Sequence, residues 1–384
     1  MTNNLLLYNV FIPSVRLCAY EQLCYLSKTG KASFHHCKVS KITKDLISNS
    51  DVVIMVRSDS YIEEVLAGIF KKAGKYLVYI LDDDLLNVPL GLSSSDYYRT
   101  DEVKKRIRKI MSLCDCLLSP SKKILGKYGK DFKKTGLIEE PALIYKAPAE
   151  KDGRMIKIGF AGSTDRGGDI DCLLSDVIKE VTERYKEDKV KIEFFGAKPN
   201  LIEPLGLTYY PYEDSYEDYQ KKMWELNWDI GLAPLPDSEF HRSKHYNKYI
   251  EYCAYGIIGI YSNVCPYTNV VKDEENGFLC YNSKDAWSEK ISWCIDNYDK
   301  LGRVRKLIKK DAEVKFSVEQ TSELFAKAVP EVLVFKAAAQ KTWFIWYELF
   351  YLRIISFFIK GYNFTLRNGF KTPVAICSKL WKCS

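Results

Sequence analysis

Four polar side chains between residues 243 and 251 have the types and spacing that phosphate and ribose chemistry needs. Ser243, Lys244, Lys248 and Glu251 fall three or four apart, so on a helix they share one face near its start. Two ammonium groups beside free backbone N–H groups stabilise phosphate oxygens, and a carboxylate one turn further accepts hydrogen bonds from ribose hydroxyls. An ordinary solvated helix face has the same spacing. A second cluster lies upstream, where the apolar run Ile156 to Ala161 ends in Gly162-Ser163-Thr164-Asp165-Arg166-Gly167-Gly168, before a helical pattern at Ile170 to Val181. Glycine lets backbone approach a phosphate and adopt positive φ, and the Arg166 guanidinium adds a fork of donors. The glycine spacing of the dinucleotide fingerprint is absent, so a plain strand-to-helix turn is the competing reading.

Three adjacent carboxylates, Asp82-Asp83-Asp84, follow the apolar run Tyr76 to Leu81. Such a triplet could hold a hard divalent cation, cap the next helix or bind arginine. Asp82 could also take the proton of an acceptor hydroxyl, since a carboxylate in a closing cleft can have a raised pKa. Arg16 follows the first apolar run and could reach across a cleft. His35 and His36 precede a strand, and His241 and His245 flank the Lys248 segment. None of these histidines has partners at metal-ligand spacing, though His245 could line a cleft beside Asp83.

The elements that would position these residues alternate along the chain. In the first half, Leu5–Ile12, Asp51–Val56, Tyr76–Leu81 and Cys116–Ser119 read as strands. Helical patterns near Ala19–Leu26, Tyr61–Lys72 and Val103–Leu113 separate them. Strands separated by helices predict a parallel, doubly wound α/β sheet, with ligands beyond the carboxyl ends of the strands. The residues just after Val10, Val56 and Leu81 therefore draw functional interest. In the second half, Ile156–Ala161, Lys191–Phe195, an apolar run from Trp228 and Ile257–Ser262 repeat the pattern. A chain of 384 residues exceeds what one core usually holds. The reading is a domain at 1–145, a Pro- and Gly-containing linker at 146–153, a second domain at 154–330 and an extension at 331–384.

The run Asp229-Ile-Gly-Leu-Ala-Pro-Leu-Pro236, then Ser243-Lys244, Lys248, Glu251-Tyr-Cys-Ala-Tyr-Gly256 and Ile257-Ile-Gly-Ile-Tyr-Ser262, resembles the nucleotide-sugar signature of GT-B glycosyltransferases. The nearest resemblance is to the retaining glycosyltransferase family 4 (glycosyl transferases group 1). Asn276-Gly-Phe-Leu-Cys280 and the segment from Asp285 extend it, so that it runs from about Ile156 to Phe325. It implies two Rossmann-like domains facing a cleft, with a final helix crossing back between them. It also implies a nucleoside diphosphate sugar donor and transfer with retention to a glycan or lipid-linked acceptor. In that family two glutamates eight positions apart bracket the donor. Glu251 matches the second and Ser243 replaces the first, a departure that bears on the sugar ring and not on the nucleotide pocket. By the same resemblance the Gly162–Ser163 loop and Arg166 face the donor phosphates, and the loop after Gly196 borders the base. Asp82 stands where many members have an active-site histidine. The donor diphosphate would be neutralised by Arg166, Lys248 and helix N-termini, and removing either the Arg166 or the Lys248 contact would cost about 2–4 kcal/mol in the transition state. No cofactor and no essential metal are expected. A sugar-nucleotide epimerase or hydrolase on the same fold, and a non-catalytic nucleotide- or glycan-binding scaffold, are the alternative readings.

Hydrophobic residues make up 47% of the chain, which excludes wholesale disorder. Twelve cysteines without CxxC pairs read as reduced residues of a cytoplasmic protein, without disulfides. Residues 336–384 hold eight Lys and Arg against one Glu, a net +7 equal to that of the whole chain. Trp343 to Ile359 would span about 26 Å as a helix, short and interrupted for a transmembrane segment. Dense aromatics among cations suit the inner face of a membrane, at about 1 kcal/mol per cation near anionic headgroups. Packing of this tail on the N-terminal domain or on a partner is the other expectation. The basic residues match no nucleic-acid module, so no nucleic-acid partner is expected.

Overall fold

The computed structural model describes residues 1–146, 155–338 and 344–354. The expected linker falls almost wholly outside them, as does the chain beyond 354. Twelve strands form two six-stranded sheets whose neighbours are all parallel. The N-terminal sheet holds β1 (Asn3–Tyr8), β2 (Ser33–Lys38), β3 (Val52–Val56), β4 (Tyr76–Ile80), β5 (Cys116–Ser119) and β6 (Lys134–Leu137), in the order β2-β1-β3-β4-β5-β6. The C-terminal sheet holds β7 (Ile156–Ala161), β8 (Val190–Phe195), β9 (Thr208–Tyr210), β10 (Ile230–Ala233), β11 (Ile258–Ser262) and β12 (Phe278–Cys280), in the order β12-β11-β10-β7-β8-β9. Numbered within its own domain from the β9 edge, that order is 3-2-1-4-5-6, the doubly wound nucleotide-binding arrangement.

Central strands such as Val52-Val-Ile-Met-Val56 are buried along their whole length, as a parallel sheet covered on both faces requires. The helix Tyr61–Lys72 starts where the sequence pattern places it, because Ser60 and Glu63 form a capping box. In the C-terminal sheet Gly159, Gly231 and Gly259 stand side by side across β7, β10 and β11. A Cβ on them would overlap the rings of Trp228, Tyr252 and Tyr261 respectively, so the glycines make room for three large aromatic side chains in the core.

Several expected boundaries move. The first strand ends at Tyr8, not Ile12; Val10 and Phe11 are exposed beyond it. His35 and His36 lie within β2 and do not precede it. This edge strand is half exposed and is held by ring contacts among Tyr20, Phe34 and His36, which leave no apolar alternation to read. The expected second domain, 154–330, ends on a helix that packs against the N-terminal domain. Helix Val318–Ala328 lies on helix Glu21–Lys28, and Phe325, Val329 and Val332 are buried in the N-terminal core.

The segment expected as a separate extension from 331 is also tied to the N-terminal domain where it is described. Lys336 Nζ lies 2.8 Å from Asp51 Oδ2. The helix at 344–354 buries Ile345, Leu349 and Leu352 in the N-terminal core, and Lys72 pairs with Glu348 at 2.6 Å. Its opposite face presents Trp346, Tyr347, Phe350 and Tyr351 outward. No helix among the described residues is long and apolar enough to cross a membrane. All ten described cysteines are free thiols.

Candidate functional site

A cavity of about 390 Å³ lies between the two sheets, beyond the carboxyl ends of their strands. Both reversals of strand order feed it, the β1 loop through Phe11 and Pro13 and the β7 loop through Gly162, Ser163 and Arg166. Asp82 and Asp83, after β4, line the N-terminal wall; Lys248 and Glu251 line the opposite wall. The walls are joined by polar contacts. Ser93 donates to Asp165 through its backbone N–H at 3.1 Å and its hydroxyl at 2.9 Å, and Lys244 Nζ lies 2.9 Å from Asp83 Oδ1.

Sequence spacing put Ser243, Lys244, Lys248 and Glu251 on one helix face, and the structure divides them. Ser243 ends the short helix Glu239–Arg242 and lies buried, its hydroxyl donating to the Glu239 carbonyl at 3.0 Å. Lys244 sits in the following loop and reaches across to Asp83. The next helix starts only at Asn247 (Asn247–Tyr255), because Tyr246 leaves helical geometry at ψ 41°. Lys248 and Glu251 alone of the four share that helix, where they pair with each other and Tyr219 donates its hydroxyl to Glu251.

The β7 loop brings backbone close to the cavity. Gly196, after β8, has φ +77°, and a Cβ there would stand 2.3 Å from the Gly162 carbonyl oxygen. Gly196 therefore shapes the Gly162 loop from behind and is not itself a lining residue. Arg166 is braced on two sides. Its Nη2 donates to the Pro234 carbonyl at 2.8 Å, and its Nε lies 2.7 Å from Asp169 Oδ2. Arg16 points elsewhere. Its guanidinium contacts Glu21 at 2.7 Å and Glu217 of the other domain at 2.5 Å, and lies over the Tyr216 ring, outside the lining of the main cavity.

The three aspartates after β4 part ways instead of forming one cation site. Asp84 is turned into the N-terminal domain, accepting from Tyr128 and from Lys127 at 2.9 Å. Asp83 meets Lys244 and Arg57. Burial alone raises the Asp83 pKa, but these two cations overcome it and hold it at about 2. Asp82 accepts from Ser14 Oγ at 2.6 Å and lies 3.5 Å from Arg57, both through Oδ2, while its buried Oδ1 has no hydrogen-bond partner. Arg57 itself was not singled out by residue type, although the position after Val56 was. It adopts φ +51° at the end of β3, a left-handed conformation uncommon outside glycine and concentrated at functional sites.

Two further carboxyls come from the stretch leading into the linker, where sequence offered only a polar Glu-Glu-Pro signal. His245 is buried, its Nε2 2.9 Å from Glu139 Oε1 and its Nδ1 3.9 Å from Glu140 Oε1. Burial lowers its pKa, and those two glutamates more than restore it. Glu140 is 1% exposed and accepts from the Cys18 thiol at 3.1 Å. Burial raises its pKa to about 7, against the pull of His245 and with the push of Asp82. Cys18, Asp82 and Glu140 bring potential ligand atoms within 4.8 Å of one another. Arg57 already stands beside that group as a fixed positive charge, which disfavours a second cation.

No protein-family model matches this sequence, and no curated protein matches it significantly. Solved structures do match the fold. Anabaena Alr3699/HepE in complex with UDP-glucose aligns at a TM-score of 0.60 and 12% identity, over 86% of this chain and all of that one. A glycosyltransferase from Rickettsia africae aligns at 0.60 and 14% identity, covering 86% of this chain and 98% of that one. TarM aligns at 0.53 and 14% identity over 80% of this chain, which spans only 57% of TarM's length. The two facing doubly wound domains are the GT-B fold.

Proposed function

We propose that this chain is a metal-independent glycosyltransferase that moves a sugar, with retention, from a nucleoside diphosphate sugar to a glycan or lipid-linked acceptor. The observation that carries the reading is the meeting, in one interdomain cavity, of the Gly162–Arg166 loop with the Lys248–Glu251 turn. In that geometry the diphosphate lies against the loop and Lys248, and Glu251, held by Tyr219, accepts from ribose hydroxyls. The likeness to a structure holding UDP-glucose supports a uridine donor. Ser243 has its hydroxyl committed to the Glu239 carbonyl. It also lies outside the lining of the cavity.

Thermal stabilisation against a panel of nucleotides and nucleotide sugars, with and without magnesium, tests this reading. The expected result is a metal-independent rise in Tm with UDP or another single nucleotide series, abolished in Glu251→Ala. No rise with any nucleotide sinks it. Product analysis with and without acceptor separates transfer from epimerisation or hydrolysis.

Polysaccharide or cell-surface glycan assembly at the inner membrane face is the setting we propose. The outward aromatic face of the 344–354 helix and the basic residues around it support attachment there. Liposome flotation of the intact chain, lost on replacing Trp346 and Phe350 by Ser, is the expected outcome; an intact chain that stays at the bottom of the gradient rejects it.

A further inference from the structure

Asp82 and Glu140 reach the cavity from different parts of the chain, one after β4 and the other from the approach to the linker. Both are buried, with 7% and 1% exposure, and both line the cavity. Their oxygens lie within 4.8 Å of each other. Two ionised carboxylates at that separation in a desolvated site repel strongly, so the pair favours keeping one proton. The surroundings divide the roles. Asp82 has Ser14 and Arg57 on Oδ2 and leaves Oδ1 buried without a partner. An unpaired buried carboxylate oxygen is costly unless something fills the position in front of it.

Glu140 has no arginine. It faces the Cys18 thiol, Asp82, His245 and its neighbour Glu139, with Tyr216 and Tyr246 further out. The helix carrying Cys18 widens into a π-helical turn at Arg16–Tyr20, a feature found often at functional sites. Burial among these groups keeps Glu140 protonated into the neutral range, up to about 7.

We propose that Asp82 Oδ1 receives the acceptor hydroxyl's proton during sugar transfer, and that Glu140 is the positioning residue whose negative charge, once present, draws that proton towards the pair. The inference rests on the glycosyltransferase reading above. In the step, the acceptor O–H bond breaks and its proton passes to Asp82. The oxygen's electron pair forms the bond to the anomeric carbon, and the bond from that carbon to the diphosphate oxygen breaks. The diphosphate leaves with that electron pair, its charge met by Arg166 and Lys248. The proton therefore goes to the protein and not to the leaving phosphate. When Glu140 ionises, its negative charge helps draw the acceptor's proton to that side of the cavity.

The test combines infrared spectra with the pH dependence of UDP release from UDP-glucose, using an octyl glycoside as acceptor. In the unliganded protein a protonated-carboxyl C=O band is expected at pH 6, disappearing as pH rises through about 7 and missing in Glu140→Gln. The kcat of the unmodified enzyme climbs roughly tenfold over the same range, while Glu140→Gln stays on the lower plateau. Asp82→Asn loses about 10²–10⁴ of kcat at every pH and keeps the UDP-induced rise in Tm, which also shows that it folds. A Glu140→Gln profile parallel to the unmodified one, or Asp82→Asn retaining a tenth of the rate, overturns the proposal and leaves the transferase reading standing. An intact chain that neither binds UDP nor turns over UDP-glucose overturns the transferase reading and this role with it. Absence of the infrared band overturns the pair alone.

Discussion

On the C-terminal wall of the cavity Lys248 and Arg166 each have a carboxylate from their own domain, Glu251 and Asp169, while Lys244 reaches across to Asp83. The N-terminal wall sets one arginine, Arg57, against Asp82 and Asp83, with Glu140 behind them. The difference lies in what each wall can give up. Lys248 and Glu251 are partly exposed and one helical turn apart, so an arriving diphosphate can take the lysine while a ribose takes the glutamate. On the N-terminal wall Asp82 and Glu140 are deeper, and the charges come from separate elements. Their balance is kept by position and by protons. One wall is suited to binding an anion, the other to holding a charge state.

The sharpest way to break this contrast is Arg57→Met. It leaves the buried Asp82 without its cation and Asp83 with Lys244 alone, a class of change that costs about 3 kcal/mol or more, read as a fall in unfolding free energy in urea. A loss under 1 kcal/mol would mean that the N-terminal wall is as adaptable as the other. Lys248→Ala should do the reverse. It is expected to cost about 2 kcal/mol of nucleotide affinity, some thirtyfold in Kd by calorimetry, with under about 1 kcal/mol lost from stability because its ion pair is partly solvated.

Asp83 supplies the smallest and most specific effect. Its folded pKa lies below the usual 3.8, at about 2. The folded state therefore binds fewer protons than the unfolded state. The stability it contributes is present above about pH 4 and is lost as pH falls towards 2, on the order of 1–2 kcal/mol after allowing for its partial exposure. In Asp83→Asn that part of the acid dependence should vanish; an unchanged slope between pH 4 and 2 would remove Asp83 from the account.

Legibility in the sequence followed burial. Strand β5 and helix Tyr61–Lys72 have the bounds that their apolar pattern gives, because central parallel strands and amphipathic helices carry their environment in their composition. Strands β6 and β9 went unread, and β2 was expected only after His36. They are short or lie at sheet edges, and β2 is held by ring contacts that no periodicity records. In the site, the rule that ligands meet the carboxyl ends of strands led to the β7 loop, to Asp82 and to the position of Arg57. The helix-spacing argument failed at Ser243 and Lys244, because one helix ends at Arg242 and the next begins only at Asn247, after Tyr246. Nothing local distinguishes Glu140 from any other glutamate before a proline.

By itself the sequence determined the alternation of strand and helix, the division into two doubly wound halves and the residue types available to a phosphate. These follow from hydrophobic periodicity and turn chemistry, which act over a few residues. Only the tertiary structure decided that Arg16 bridges to Glu217 outside the main cavity, that Lys244 reaches Asp83, and that part of the tail lies on the N-terminal core. It alone brought Asp82, Cys18 and Glu140 within 4.8 Å. Charge and desolvation act through space, and groups more than a hundred residues apart in the chain set one another's protonation only once the sheets have packed.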